Sequence, residues 1–262
     1  MGDLTKLLLM LENDETCANS TFCDEDLFGH PSGLQQPAAH KYNQSDLDLI
    51  ADFYSNKFNS SALEKPARRF FEMNADAFTA FIHAWMSELP IEKEMLAFGR
   101  KVLAAHDKRK AEIAANDRGS DDARTVLNAA GKVQFEIHRM YGLLRFSPGD
   151  EGEYIARFSP DFLILPALGG YFTARFGETS WVIIDEKRGL ILSRLSAEAG
   201  LPRKTEIQIM NAIPAENLAS NADEWEDLWR HYHKTINNES RNNPDLQRQL
   251  MPKRYWKYLP EV

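Results

Sequence analysis

The chain has 262 residues, of which 43% are hydrophobic and 27% charged, and its formal net charge is −8. That length supports a full-sized core in one domain or two close-packed ones, and the composition is ordinary for a soluble globular protein. No apolar run approaches the roughly 20 residues of a membrane span, and the acidic balance argues against nonspecific coating of nucleic acid, though not against a local basic groove or an acidic-surface partner contact.

Fifteen Phe and five Trp supply core material. Cys17 and Cys23 are the only cysteines. Two are too few for a disulfide scaffold, so a cytoplasmic location is expected, and their spacing without a third cysteine gives no metal site. The opening LTKLLLML lacks a small-residue cleavage site and has acids after it, so it reads as a first helix or strand rather than a signal peptide. Residues 12–45 are polar and scattered with Gly, Pro and Asn, a long loop or arm.

From Ser45 the pattern turns helical, with Leu47, Leu49, Ile50 and Phe53 on one side. Residues 67–89 place seven large apolar side chains, from Phe70 to Met86, on a broad face that Pro90 ends. A further helix is predicted over 91–113. Asp117-Arg118-Gly119-Ser120 is a turn, and Asp121 or Asp122 starts a helix carrying Val126, Ala130, Val133, Ile137 and Met140 at three- and four-residue steps. Gly142 closes it. LLRF, EYIARF, SWVII and LILS then read as strands, with SPGDEGE and EKRG as turns and a helix over 168–176 between the pairs. The order strand–strand–helix–strand–strand predicts an α+β fold, a small mostly antiparallel sheet packed against several helices.

Beyond the sheet, 201–210 continues the chain across it, Ile213–Glu216 is a turn, and 223–237 is an aromatic helix. The domain layout is therefore a polar arm over 1–44 and one α+β domain over 45–262, with the sheet core at about 142–193 and a basic tail.

No GxGxxG, P-loop, HExxH, GxSxG or CxxC occurs, so no cofactor is expected. Glu136, His138 and Arg139 form the strongest chemical constellation, because a histidine near a helix end is the natural proton shuttle near neutral pH. The same residues also suit the helix C-terminus and its dipole. Asp161 follows a proline and Asp185 ends a strand, placing both as candidate acids or as cap and turn residues. Arg145, Arg157 and Arg175 recur around the sheet as an anion-binding set or as solvent-facing strand positions. In the tail, Lys253, Arg254 and Lys257 interleave with Tyr255, Trp256 and Tyr258. Such interleaving neutralises phosphates while an aromatic stacks on a base, or it anchors rings in the core and leaves the charges wet.

NPDLQRQLMPKRYWKYLPE, EIHRMYGLLRF and the spaced FSPDFLILP, YFTARF and SWVIIDEKRG resemble the bacterial "probable DNA metabolism protein" family, built on a domain of unknown function. The resemblance runs from about Phe78 to the end of the chain. It implies a DNA-repair context, with a radical-SAM DNA repair enzyme as partner and relatives fused to uracil-DNA glycosylase. By motif it singles out Glu136, His138, Arg139, Arg145, Asp161, Arg175, Asp185 and Arg254. Two functions are expected from this. One is an accessory protein that binds DNA or its partner through Arg139, Arg145, Arg157, Arg175, Lys253, Arg254 and Trp256. The other is a DNA-processing enzyme, hydrolytic or glycosylase-like, using His138 and Glu136 with Asp185 or Asp161. A structural domain with an unrelated ligand is the third alternative.

Overall fold

Two asparagines set the rhythm of the helical half. Asn43 accepts from the Ser45 N–H, and Asn74 accepts from the Ala77 N–H at 2.8 Å, each satisfying a donor that a helix start leaves open. In the computed structural model, residues 3–11, 42–55, 58–149, 152–195, 205–209, 231, 235 and 243–259 are described. Helix α1 is Leu4–Leu9 and α2 is Gln44–Phe53. Asp46 of α2 caps α1 from outside, accepting from the Leu4 and Thr5 N–H groups at 3.0 Å. Leu4, Leu7 and Leu8 are buried in the same hydrophobic cluster as the rest of the core.

The predicted helix over 67–89 divides into α3 (Lys65–Met73) and α4 (Ala75–Met86). Asn74 ends the first in an extended conformation and caps the second, which the continuous apolar face conceals. The 91–113 segment likewise divides into α5 (Glu92–Leu103) and α6 (Lys108–Asn116), with Asp107 capping α6. Phe70, Phe78 and Phe81 meet edge to face at the centre, with centroids 5.6–5.7 Å apart. Helix α7 (Asp121–Leu143) is the spine, burying Val126, Val133, Ile137 and Met140 as the periodicity required.

The sheet contains β1 (Phe146–Pro148), β2 (Tyr154–Phe158), β3 (Trp181–Asp185), β4 (Leu190–Arg194) and β5 (Glu206–Ile209), in that spatial order. The α+β expectation holds, with β5 added from within the 201–210 continuation and β1 lying later than the expected strand LLRF, whose Leu143 still belongs to α7 and of which only Phe146 is in the strand. Three of the four pairings are antiparallel; β2 and β3 run parallel, in the register Tyr154↔Trp181 to Phe158↔Asp185. A parallel pair needs a crossover, and α8 (Leu165–Phe176) supplies it. It starts three residues before the predicted helix, with Pro166 in its first turn, a position where proline's missing N–H costs nothing. Gly170 permits its approach to α2. A Cβ there would fall far inside van der Waals contact of the Tyr54 carbonyl oxygen. The last described elements are α9 (Pro244–Leu250) and a 3-10 helix, Lys253–Tyr258. No helix among the described residues is long and apolar enough to cross a membrane. Of the arm expected over 1–44, residues 12–41 lie outside the described residues, while Leu4–Leu9 is α1 with its leucines in the core. The turn expected at 213–216 and nearly all of the helix expected over 223–237 also lie outside them.

Candidate functional site

The short segment Pro160–Phe162, between β2 and α8, is where α7, the sheet and the tail meet. Its N–H groups face a carboxylate and its carbonyls face cations. Glu136, 2% exposed on α7, accepts from the Asp161 and Phe162 N–H groups, both at 2.9 Å, one on each carboxylate oxygen. The Tyr255 hydroxyl donates to the same carboxylate. A carboxylate out of water needs such donors, and charge-assisted bonds of this kind are the strong ones.

On the other side, the Arg188 side chain is 3% exposed. It donates to the Pro160 carbonyl at 3.2 Å and the Asp161 carbonyl at 2.8 Å. The same guanidinium pairs with Asp185 at 3.0 Å and with Glu88, which also accepts from the Tyr42 hydroxyl. Lys187 adds a bond to the Asp161 carbonyl at 2.7 Å. Asp185 is fully buried and accepts from the Lys187 and Arg188 N–H groups at 3.0 and 3.2 Å, closing the predicted EKRG turn with Gly189 at φ 63°. Burial pushes its carboxyl up to about 6, against the opposing pull of Arg188 and the two N–H groups.

A basic rim surrounds this centre. Arg254 pairs with Asp161 at 2.6 Å and lies 3.9 Å from Glu136. Lys257 and Arg157 approach Glu186 at 3.4 and 3.6 Å, and the Tyr258 hydroxyl donates to it at 2.7 Å. Lys253 sits over the Trp256 ring at 5.8 Å, while the indole N–H is spent on the Met251 carbonyl. Tyr255, 2% exposed, fills the core beneath. The tail is thus anchored by its rings, with its cations outward.

The structure brings Glu136, Asp161, Asp185, Arg157, Lys253, Arg254 and Trp256 into this neighbourhood. His138, Arg139, Arg145 and Arg175 are elsewhere. His138 is exposed and meets Tyr141 edge-on at 6.3 Å, and no hydrogen bond joins it to Asp161 or Asp185. Arg139 covers the Phe135 ring at 4.4 Å, Arg145 donates to the Gly142 carbonyl at 2.7 Å, and Arg175 is exposed in the last turn of α8. A general acid or base must reach a substrate proton. Glu136 and Asp185 instead have their lone pairs taken by the chain itself.

The sequence by itself does not single out Tyr42, Glu88 or Arg188; in the tail it points to Trp256 as a nucleic-acid contact and has Tyr255 only among the rings that could anchor in the core. Arg188 carried one local sign, its place three residues after Asp185 in a turn. Glu88 carried none: it has φ 58°, alone among the described non-glycine residues in that region. No three His, Cys, Asp or Glu side chains among the described residues converge to hold a metal ion. A groove of about 830 Å³ between α2 and β5 is lined by Asp48, Asp52 and Glu206 among others, a chemistry opposite to that of the basic rim.

A family model described as a domain of unknown function, DUF4130, matches residues 93–261. The chain belongs to the DUF4130 family. The DUF4130 match takes in α7, the whole sheet, the clamped Pro160–Phe162 segment and the tail. Tyr42 and Glu88, which complete the Arg188 cluster, fall before it. No curated protein and no solved structure matches the chain.

Proposed function

We propose that this DUF4130 protein is an accessory protein of DNA metabolism or repair that binds nucleic acid through its basic rim and works beside a radical-SAM partner enzyme. The carrying observation is the way the tail is fixed. Tyr255 is locked onto Glu136, while Arg254 and Lys257 on either side keep side-chain exposures of 44% and 60%. Among the described residues, Arg157, Lys187, Arg254 and Lys257 gather with Lys253 around the surface residues Asp161 and Glu186. A pre-ordered set of cations of this kind neutralises phosphates and loses little entropy in doing so. A local patch suffices for this even in a chain of net charge −8. The partner reading rests on the resemblance of the central block and tail.

Fluorescence anisotropy with labelled DNA over a salt series tests the binding. The Lys253→Glu, Lys257→Glu double variant is expected to bind at least about tenfold more weakly and to show a shallower salt dependence, by roughly one to two in the log–log slope. Wild type with no affinity for single-stranded or duplex DNA at low salt would overturn the reading. Copurification with the radical-SAM enzyme, with and without damaged DNA, tests the partner.

A further inference from the structure

From Lys132 onward the exposed side of α7 has the opposite character to the chain as a whole, although its first turn carries Asp121 and Asp122. Between Lys132 and Arg145 the only acidic residue is Glu136, which is buried, and α8 has no acidic residue at all. In the same region two large rings face solvent: Phe135 is 57% exposed and Tyr171 38%. Tyr171 is held in place. One face stacks on Tyr141 with centroids 4.0 Å apart and planes at 18°, and its edge meets Phe172 at 5.1 Å. Phe135 lies under the Arg139 guanidinium at 4.4 Å.

At about 3.6 residues per turn, going round α7 from the buried Glu136 reaches Arg139, Phe135, His138 and Tyr141 in that order across its outer side. The strip therefore begins where Tyr255 and Arg254 meet Glu136 and ends at the tyrosine stack. We propose that this strip is a single-stranded nucleic-acid track, in which an unpaired base stacks on the open face of Tyr171 and phosphates follow Arg139 and Lys132 to the tail. It rests on the nucleic-acid reading above and sharpens it. A duplex offers phosphates but hides the faces of its bases, whereas a single strand presents both, and base–aromatic stacking is tolerant of sequence. Cations beside pre-stacked rings match that ligand in charge and in shape.

The test compares a fluorescein-labelled oligothymidine, an abasic oligomer of equal length and a matched duplex. Wild type is expected to prefer the oligothymidine to both. Tyr171→Ala should lower oligothymidine affinity about tenfold and abolish the preference over the abasic oligomer, while Tyr171→Phe retains both, since the ring and not the hydroxyl carries the stack. Thermal melting of the two variants shows whether either has lost its fold. If wild type binds all three probes equally and Tyr171→Ala changes nothing, the base-stacking track is wrong and the phosphate reading stands; this is also the result expected if the strip docks a protein. If wild type binds none of them, the nucleic-acid reading fails and the track fails with it.

Discussion

The Tyr255 hydroxyl donates to the carboxylate of Glu136, 119 positions earlier in the chain. That one bond closes the tail onto the central helix. The same carboxylate holds the two N–H groups of Asp161 and Phe162, so helix, crossover and tail share one buried charge.

Tyr255→Phe is expected to cost about 1–2 kcal/mol, because the carboxylate keeps its two backbone donors but loses the third. Glu136→Leu should cost more, about 3–5 kcal/mol, since it strands two part-buried N–H groups and the buried phenol together. The double variant should be less damaging than the sum of the two. Urea denaturation with an unchanged slope reads this. Strictly additive losses would mean that the bond carries no coupling.

Arg188→Lys keeps the charge and removes the fork. Lysine cannot reach Glu88, Asp185 and two carbonyls from one planar group. A loss of about 2–4 kcal/mol is expected, and Arg188→Met should lose more, because it leaves Asp185 buried without its partner. A lysine variant as stable as wild type in chemical denaturation would show that the clamp is not under load.

Gly170 and Gly131 both sit in helices, and alanine should act on them in opposite directions. At Gly131 an added Cβ meets nothing within 4 Å, so Gly131→Ala should stabilise by about 0.5–1 kcal/mol through helix propensity. At Gly170 the same methyl drives into the Tyr54 backbone, and a loss of about 1–3 kcal/mol is expected despite the propensity gain. The two melting temperatures should move apart, and a rise in both would contradict the close approach of α8 to α2.

His83 and Asp185 bias the pH dependence of stability in opposite directions. Burial pushes the His83 imidazole, hydrogen-bonded to the Tyr54 hydroxyl, down to about 4. The unfolded chain therefore binds the extra proton first, and the stabilisation present above about pH 6.5 is lost as pH falls toward 4. Asp185, raised to about 6, does the reverse: its contribution is full below about pH 4 and is lost as pH rises through 6. The stability difference between wild type and His83→Phe should shrink by up to about 3 kcal/mol from pH 7 to pH 4, and that for Asp185→Asn should grow over the same interval. Parallel profiles in urea titrations at the two pH values would rule out both shifts.

Legibility followed the range of the interaction. The spine helix could be read from Val126 to Met140 because burial repeats at the helical period. The second hairpin could be read because turn chemistry is local, as with Asp185 and Gly189, whereas the first lies later than expected, with β1 at Phe146–Pro148 rather than at LLRF. Boundaries failed where one side chain intervened, as at Asn74, whose cap splits a continuous apolar face. The site was legible only as a set of polar positions. Glu136 and His138 are two residues apart in sequence, yet one is saturated inside and the other is on the surface.

The amino-acid sequence by itself determined the α+β class, the central helix, the strand pairs and a tail that mixes rings with cations, because period and turn preference are properties of neighbouring residues. Tertiary structure alone decided that β2 and β3 run parallel, that Arg188 meets Glu88 from 100 positions away, and that Tyr255 rather than Trp256 anchors the tail. The reason is physical. Whether a carboxylate is available or spent depends on the donors around it, and here those donors come from segments that only the folded chain brings together.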